Sequence, residues 1–322
     1  MLKLLIVKTS SLGDVIHNLP IIADIHAHYS DVQIDWLVEE SFADIPKLHP
    51  LVNQVIPIAV RRWRKAIFNR NTWRDISTLK QYLVKQHYDI ILDTQGLLKS
   101  GLMTYFCIGH KHGYDKNSAR EPLASFFYDT THRVALTQHA VVRNRILAAL
   151  AVNYPIPNSL PNYGIQAKTD IEINLHKPYV IGLHATSRDS KLWPTDHWIK
   201  LGNKLAEHQL DLVLPWASEK ELQRAQQIAK TIKNVIVLPK STIAQLATVI
   251  SKAQVAIGVD TGLSHLAVAL NIPTIAIYTD TDPKMTGVYA GASAPAINLG
   301  GPQKISSVSE VFEAFLNLSK SN

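Results

Sequence analysis

The segment Val255-Ala-Ile-Gly-Val-Asp-Thr-Gly-Leu-Ser-His265 predicts a buried strand that runs straight into a helix. Its first five residues are a short apolar run, which is typical of a strand covered on both faces of a parallel sheet. Asp260, Thr261 and Gly262 then form a polar turn, and a helix is expected over residues 264–270. The segment is therefore a β-α unit with carboxylate, hydroxyl and imidazole groups just beyond the carboxyl end of its strand.

The same alternation extends outward from this segment. In the second half, strands are predicted over 179–184, 211–214, 235–238 and 274–278, with helices over 197–208, 219–231 and 242–250. In the first half, strands are predicted over 4–7, 33–38, 55–58 and 89–93, with helices over 14–29 and 75–86. Pro20 should interrupt the first of these helices. Strands that alternate with helices indicate parallel sheets covered by helices on both faces.

Two domains are expected from the length of 322 residues and from a break near the middle. Residues 153–162 are rich in Pro and Asn and lack periodicity, as at a domain boundary. We expect an N-terminal domain over 1–165, a C-terminal domain over 166–305 and a final helix over 306–322 that packs back on the N-terminal domain. The predicted fold class is α/β, with two Rossmann-like doubly wound domains facing each other across a cleft. Ligands of such sheets bind beyond the carboxyl ends of the strands.

Composition excludes several classes of protein. The hydrophobic fraction of 46% excludes a disordered chain, and the single cysteine, Cys107, excludes a disulfide framework and a Cys-rich zinc site. Cys107 lies in an apolar stretch and is expected to be a small buried hydrophobe. No run reaches the roughly 18 apolar residues that cross a bilayer, and no signal peptide is evident, so a cytoplasmic protein is expected. The net charge of +7 indicates an anionic partner, which can be nucleic acid, a membrane surface or an acidic small molecule.

The segment Lys8-Thr-Ser-Ser-Leu-Gly-Asp14 follows the first predicted strand. A hydroxyl-rich turn at a helix N-terminus exposes backbone amides that can bind an anion. The G-x-G-x-x-G fingerprint and the G-K-[ST] of a P-loop are both missing, which disfavours an NAD enzyme and a P-loop ATPase. Asp14 is either a helix cap or a carboxylate that accepts a proton from a substrate hydroxyl. Asp93-Thr-Gln-Gly echoes the Asp-Thr-Gly turn, but no catalytic role is assigned to Asp93.

Two loops of the second half carry groups that suit a diphosphate. Thr186 and Ser187 offer hydroxyls and Lys191 a point charge, unless their loop is simply a solvated polar one. In the segment quoted first, the amides after the strand can point at a diphosphate, Asp260 can hold sugar hydroxyls, and His265 can donate to a phosphate. Helix capping and a satisfied interior histidine are the alternatives there.

Acidic residues also begin the helix predicted over 219–231. Glu219 and Glu221 are either stabilised by the helix dipole or available to ribose hydroxyls, as acidic residues are in nucleotide sites. The sequence leaves both interpretations open.

The basic cluster Arg61–Arg74 contains six cations and no acid, interleaved with Trp63, Ile67, Phe68 and Trp73. It supplies most of the net charge. A solvated charged face is the plain interpretation, and arginine beside aromatic residues also suits nucleic acid or an anionic lipid surface. No RNA-binding signature accompanies the cluster, so nucleic acid is disfavoured. Arg120 and His139 can add to an anion site.

These segments together resemble one family. The resemblance is carried, in chain order and over essentially the whole sequence, by Lys8–Asp14, Arg61-Arg-Trp-Arg-Lys65, Arg120–Ser125, His184-Ala-Thr, Lys191-Leu-Trp-Pro194 and Asp260–His265. They are similar to the lipopolysaccharide heptosyltransferases, inverting glycosyltransferases of the GT-B architecture in glycosyltransferase family 9. The Arg61–Lys65 segment is typical of the members that act first on the inner core rather than second.

The resemblance implies a role for each matching residue. Asp14 would be the general base. Donor binding would fall to Thr186, Ser187, Lys191, Glu221, Ser241, Asp260, Thr261, Gly262 and His265. Ser187 stands where close relatives often have Thr, and the hydroxyl is kept. The anionic acceptor would be bound by Ser10, Ser11, Arg61, Arg62, Arg64, Arg120 and His139.

The reaction implied by the resemblance is transfer of L-glycero-D-manno-heptose from ADP-heptose to the Kdo of Kdo2-lipid A. The partners expected with it are the two substrates and the cytoplasmic face of the inner membrane, with the enzyme acting as a peripheral monomer. No Asp-x-Asp metal motif is evident in the donor loops, so no metal or other cofactor is expected. A related transferase for another nucleotide sugar and a non-catalytic nucleotide-binding protein are the alternatives.

Overall fold

A computed structural model describes residues 1–167, 175 and 178–319. The chain divides into two compact units, Met1–Ile165 and Gln166–Asn322. Each unit is built around one six-stranded sheet in which every strand pairs in parallel with its neighbours. The α/β class predicted from the alternating pattern is confirmed.

The first unit carries the strands β1 Leu2–Val7, β2 Val32–Glu39, β3 Val52–Ile58, β4 His87–Asp93, β5 Ile108–Tyr114 and β6 Thr130–His132. Its α-helices are α1 Leu12–Ile16, α2 Pro20–His28, α3 Asp44–Lys47, α4 Val60–Lys65, α5 Arg70–Lys85, α6 Leu98–Tyr105 and α7 Ala140–Val152. Short 3-10 helices cover Glu40–Phe42 and Pro122–Phe127.

The first sheet has the strand order β3-β2-β1-β4-β5-β6. β1 is therefore a central strand, and its apolar run Leu4–Val7 is completely buried. The chain leaves β1 toward β2 and β3 and then crosses to β4, so the direction of winding reverses between β1 and β4. In open α/β sheets this reversal opens a crevice at the carboxyl ends of the two strands, where ligands bind.

Helices α4 to α6 contribute to one apolar core of the first unit. Trp63 and Leu83 pack there with Leu5 and Val7 of the central strand and with Cys107. Burial raises the pKa of the Cys107 thiol to about 12. The expectation of a small buried hydrophobe at this position is confirmed.

The second unit carries the strands β7 Tyr179–Leu183, β8 Asp211–Leu214, β9 Val235–Val237, β10 Val255–Val259, β11 Thr274–Tyr278 and β12 Ala296–Gly300. Its α-helices are α8 Thr195–Glu207, α9 Glu219–Ala229, α10 Ile243–Ser251, α11 Gly262–Ala269, α12 Pro283–Thr286 and α13 Val308–Ser319, and a 3-10 helix covers Asp189–Lys191.

The second sheet repeats the order of the first, β12-β11-β10-β7-β8-β9. β7 and β10 pair at its centre and are wholly buried. Gly258 is required there because a Cβ at this position would collide with the Ser264 hydroxyl and lie 2.9 Å from Leu183 Cβ. The first turn of α11 therefore sits directly against the sheet, and the Ser264 hydroxyl donates to the Val259 carbonyl at 2.8 Å.

The C-terminal helix belongs to the core of the second unit. Val311, Phe315 and Leu318 of α13 belong to the apolar core of the second unit, together with Trp193 and Trp198. Its apolar face therefore packs within its own unit, and packing of this helix on the N-terminal domain stays a prediction. Residues 320–322 of the predicted helix lie outside the described residues.

Several element predictions are confirmed and others are incomplete. The predicted helix over 14–29 is two helices, and the second begins at Pro20, where proline suits a first helical turn. The sequence reasoning missed β5, β6, β12, α6 and α7. β5 reads Ile-Gly-His-Lys-His-Gly-Tyr, which has too few apolar residues to be recognised as a buried strand.

No described helix combines the length and apolar character needed to cross a membrane.

A buried ion pair joins α2 to α7, and its loss should destabilise the first unit. Arg145 donates to both carboxylate oxygens of Asp24, at 2.7 and 2.8 Å, and both side chains are at most 12% exposed. Asp24→Ala should lower the free energy of unfolding by about 3–5 kcal/mol, because it leaves a guanidinium buried without its carboxylate. Urea unfolding followed by circular dichroism measures the change.

The matched control is Lys47→Ala, which breaks the exposed pair with Asp44 at 3.5 Å. It should cost less than about 1 kcal/mol, because water already solvates both charges. Equal losses in the two variants would contradict the structural role given to the buried pair.

Candidate active site

The loop after β1 turns directly into α1 and fixes the Asp14 carboxylate. Ser11 is the N-cap residue, and its backbone N–H and hydroxyl donate to Asp14 Oδ2 at 3.0 and 3.1 Å. A carboxylate at the third helical position commonly binds the N-cap amide in this way. The capping role considered from the sequence is therefore present, and it holds the carboxylate at the carboxyl edge of the central strand.

Arg120 binds the same carboxylate. Its Nη2 donates to Asp14 Oδ1 at 2.6 Å and its Nη1 to Oδ2 at 3.4 Å. The Arg120 side chain is 42% exposed and that of Asp14 is 15% exposed. Solvent thus reaches the pair from the arginine side, and a ligand can compete for the guanidinium.

The Asp14 carboxyl is strongly biased toward its charged form. Burial acts to raise its pKa, but the charges of Lys8 and Arg120 and the hydrogen bonds from Arg120 and Ser11 together hold the pKa far below its usual range. Asp14 is therefore ionised at any physiological pH. An ionised carboxylate beside a helix N-terminus can accept a proton or hold a cationic or hydroxyl group.

The loop after β4 supports the loop after β1. Gln95 Oε1 accepts from the backbone N–H groups of Thr9 and Ser10 at 3.1 and 3.2 Å. Lys8 Nζ donates to the Thr94 carbonyl at 2.8 Å, and Lys99 Nζ donates to the Ser10 hydroxyl at 2.6 Å. The Asp93-Thr-Gln-Gly segment, which is similar to the Asp-Thr-Gly turn, therefore binds the loop after β1 through hydrogen bonds.

Asp93 shapes the β4 loop. It is completely buried and accepts from Tyr128 Oη at 2.8 Å and from the Gln95 amide at 2.7 Å. Burial raises the pKa of Asp93. These hydrogen bonds fix the loop after β4.

The predicted acceptor residues occupy two places. Ser10, Ser11 and Arg120 lie in the Asp14 environment just described, and His139 is the N-cap of α7, where its Nδ1 accepts from the Val141 amide at 3.2 Å. Arg61, Arg62 and Arg64 lie apart on α4, after the edge strand β3.

The three α4 arginines differ from one another. Arg62 is already engaged by Asp75 at 2.9 Å and Glu40 at 3.3 Å. The Arg61 guanidinium lies over the Phe42 ring at 4.8 Å. Among the described residues, no carboxylate lies within 4 Å of Arg64, so its charge is available to a ligand.

In the second unit, Lys191 and Asp260 meet across the central pair of strands. Lys191 follows β7 and Asp260 follows β10, and their side chains pair at 2.6 Å. The Thr281 hydroxyl also donates to Asp260 Oδ2 at 2.6 Å, and the Thr186 hydroxyl donates to the Asp260 carbonyl at 2.8 Å. The predicted residues of these two loops are thus brought together by hydrogen bonds.

The N-terminus of α11 is left available for an anion. Thr261 is its N-cap, and no side chain caps the helix there. Amides at an uncapped helix N-terminus suit a phosphate oxygen, and the helix dipole adds to the attraction. Gly262 is the first helical residue, and His265 is buried one turn into the helix. Ser187 is exposed on the loop after β7, next to Thr186.

The other predicted donor residues have local partners. Glu221 Oε2 accepts from the Ala217 amide at 2.7 Å, so the dipole-stabilised interpretation of this carboxylate is present in the structure. The Ser241 hydroxyl donates to the Pro239 carbonyl at 2.8 Å in the loop after β9. Both residues follow strand ends on the β8–β9 side of the sheet.

Sequence reasoning missed a contact between a buried histidine and an arginine in this unit. Arg224 Nε donates to the His184 carbonyl at 3.4 Å, and His184 Nε2 lies 3.1 Å from the Pro215 carbonyl. Burial, together with the Arg224 charge, lowers the pKa of His184 to about 4. The imidazole is therefore neutral and joins the loop after β7 to the loop after β8.

The fold and the two sites define a class of protein. One doubly wound sheet carries an ionised carboxylate, and the other carries a lysine, hydroxyls and an uncapped helix N-terminus. These are the two domains of a GT-B glycosyltransferase. The chain matches the family described as Glycosyltransferase family 9 (heptosyltransferase) over residues 76–307. It belongs to this family.

Individual relatives agree with this assignment. The chain is 44% identical to Lipopolysaccharide heptosyltransferase 1 of Pseudomonas aeruginosa, over 89% of this chain and 81% of the relative. It is 43% identical to the Escherichia coli protein of the same name, over 89% of this chain and 91% of the relative.

Solved structures are similar as well. The E. coli heptosyltransferase WaaC with ADP superposes with a TM-score of 0.90 at 39% identity, covering 98% of this chain and 99% of that one. E. coli ADP-heptose lps heptosyltransferase II, at 20% identity and a TM-score of 0.79, shares the fold over 99% of each chain.

The electrostatics of Asp14 can be tested directly. Arg120→Gln should raise the pKa of the Asp14 carboxyl, because one of the two cations that favour its charged form is removed while burial continues to oppose it. Carboxyl carbon chemical shifts, followed by NMR as pH is lowered, report the change. Arg62→Gln is the control, because it removes the same charge from a side chain that pairs with Glu40 and Asp75 instead. Identical Asp14 titrations in the two variants would show that Arg120 does not set this pKa.

Proposed function

We propose that this chain transfers L-glycero-D-manno-heptose from ADP-heptose to the Kdo of Kdo2-lipid A, with inversion at the anomeric carbon. Heptose transfer in lipopolysaccharide inner-core biosynthesis follows from its relatives. The finer assignment is supported by the names of those relatives and by WaaC structures with ADP and with ADP-2-deoxy-2-fluoro heptose. The observation that carries the mechanism is the Asp14 carboxylate, held ionised at the carboxyl end of β1.

Asp14 acts as the general base. It takes the proton of a Kdo hydroxyl as that oxygen forms a bond to the anomeric carbon of the heptose. The bond between this carbon and the ADP oxygen breaks on the opposite side, and ADP leaves with the electron pair. One displacement gives inversion without a covalent enzyme intermediate. A low pKa weakens Asp14 as a base but ensures that it is deprotonated.

The second unit holds the donor. Lys191 exchanges part of its contact with Asp260 for the diphosphate, and the amides that begin α11 receive the other charged oxygens. Thr186 and Ser187 lie in the same loop, and Glu221 and Ser241 are assigned to the nucleoside. These donors are worth most as negative charge develops on the leaving ADP. We propose that they replace a metal ion, so that the reaction requires no cofactor.

The basic cluster Arg61–Arg74 faces the acceptor and the membrane. Arg64 offers an unpaired guanidinium to lipid phosphates or a Kdo carboxylate. Phe68 is 99% exposed, and Ile67 and Trp73 are more than half exposed, in the same segment. Apolar and aromatic tips among cations are typical of a surface that rests on an anionic bilayer. We therefore place the enzyme on the cytoplasmic face of the inner membrane.

A product assay tests the function. Incubation with ADP-heptose and Kdo2-lipid A should give ADP and an acceptor whose mass has increased by one heptose residue. An acceptor that already carries the first heptose should not react. Use of only the heptosylated acceptor would indicate the second transferase, and ADP-heptose binding without turnover would indicate a non-catalytic protein.

Asp14→Asn supplies the mechanistic arm of this assay. It should lower kcat by about 10²–10⁴-fold, the usual contribution of a general base. Asp44→Asn, at an exposed position on α3, is the matched control and should keep its activity. Near-normal turnover by a folded Asp14→Asn enzyme would remove Asp14 from the chemistry.

Charge reversal tests the basic cluster. Arg61→Glu/Arg64→Glu should raise the KM for Kdo2-lipid A more than the KM for ADP-heptose, and it should weaken binding to phosphatidylglycerol vesicles. Lys200→Glu/Lys233→Glu changes the charge equally in the second unit and should affect neither quantity strongly. Equal effects on the two KM values would contradict an acceptor role for α4.

A further inference from the structure

A small, partly open cavity lies beside the Asp14–Arg120 pair within the first unit. It opens at the carboxyl ends of β1, β4 and β5 and at the N-terminus of α7. Its lining residues are Lys8, Thr94, Gln95, Tyr114, Ser118, Arg120, Ala140, Arg143 and Asn144. Its free volume is only about 20 Å³, enough for a small polar group and far below the roughly 300–1,000 Å³ that encloses a whole drug-sized ligand. The cavity therefore suits one group of a larger molecule.

Three cationic side chains converge on this space. Lys8 is 4% exposed and has only the Thr94 carbonyl as a hydrogen-bond acceptor among the described residues. The Arg143 guanidinium lies over the Tyr114 ring at 4.8 Å and donates to the Ser118 carbonyl at 2.6 Å. Arg120 reaches the cavity from the Asp14 side. Burial lowers the pKa of Lys8 to about 8, because its ammonium group is shielded from water.

Two polar groups at the cavity lack a hydrogen-bond partner among the residues that the structure describes. One is the Thr94 hydroxyl, on a side chain that is 1% exposed, and the other is Arg143 Nε. Buried polar groups are normally satisfied, so an unpartnered hydroxyl and an unpartnered guanidinium N–H in one cavity point to a missing acceptor. The first turn of α7, a helix of 13 residues, adds the positive end of its dipole at Ala140.

We propose that this cavity binds the carboxylate of the acceptor sugar, beside the hydroxyl that Asp14 deprotonates. The inference rests on the proposed function, because it assumes an acidic sugar as acceptor. A planar carboxylate can accept from the Arg143 guanidinium with one oxygen and from the Thr94 hydroxyl and Lys8 ammonium with the other. Recognition of the acid next to Asp14 fixes which ring hydroxyl meets the base.

The test compares two acceptors in two enzymes. One acceptor is Kdo2-lipid A, and the other is the same molecule with the carboxyl group of the accepting Kdo converted to a carboxamide. The native enzyme should have a KM roughly 10–100-fold lower for the acid, as expected for hydrogen bonds to a charged group. Arg143→Gln should raise the KM for the acid toward that for the amide, and it should leave the KM for the amide and for ADP-heptose nearly unchanged.

Arg133→Gln is the matched control, because Arg133 is exposed, lies in the same unit and does not line the cavity. Thr94→Val keeps the shape of the side chain and should reduce the preference for the acid several-fold, which covers the case in which Arg143→Gln does not fold. An Arg143→Gln enzyme that loses both acceptors equally, or that keeps its preference for the acid, would overturn the proposal.

A phosphate of the lipid headgroup is the other anion of similar chemistry. A Kdo acceptor lacking the lipid phosphates should show the same preference for the acid over the amide if the cavity binds a carboxylate. A preference that follows the phosphates and ignores the carboxyl would overturn the assignment. If the native enzyme uses neither Kdo acceptor, the proposed function itself fails, whereas equal use of acid and amide leaves the function standing and removes only this site.

Discussion

Parallel pairing on both sides of β1 and of β7 is the constraint on which the two sites depend. Parallel strands send every carboxyl end to the same edge of the sheet, and the reversal of winding beside the first strand leaves room there for a ligand. Loops that are far apart in sequence are thereby forced together. Lys8 meets Thr94 in the first unit, and Lys191 meets Asp260 in the second. The chemistry of each unit is decided by what those few loop residues are.

In the first unit, the loops determine the charge state of the Asp14 carboxyl, and this charge state limits its strength as a base. The charges of Lys8 and Arg120 and two donors from Ser11 favour the ionised form of Asp14, but its carboxylate is a weak base while Arg120 holds both oxygens. An anionic acceptor offers Arg120 another partner. Moving that contact would raise the pKa of Asp14 by removing a favourable charge, which strengthens the base when the hydroxyl to be deprotonated is in place. In the proposed reaction, the Asp14–Arg120 pair would therefore link acceptor binding to the strength of the base.

Residue patterns predicted the central strands of both sheets and the loops that follow them. β10 and β11 were predicted to the residue, because their apolar runs have little other explanation than burial. β5 and the edge strands β6 and β12 were missed, because a strand with few buried apolar positions carries little apolar signal. The sequence identified Lys8 as part of a motif. It did not predict that Lys8 contacts Thr94 or that Lys8 and Arg143 line the same cavity. Three residues on separate elements meet only after folding, and one sequence contains no record of that proximity.

The two units use the same acid–cation arrangement for different purposes. Each places an acid–cation pair at 2.6 Å where the winding of its sheet reverses, Asp14 with Arg120 and Asp260 with Lys191. In the second unit the open amides of α11 lie beside the pair, so an anion entering there competes with Asp260 for the lysine. In the first unit Ser11 caps the helix through Asp14, so the carboxylate itself occupies the anion position. The helix N-terminus that is left uncapped favours a phosphate, and the one that is capped by aspartate presents an ionised carboxylate, which is the group that the proposed reaction uses as its base.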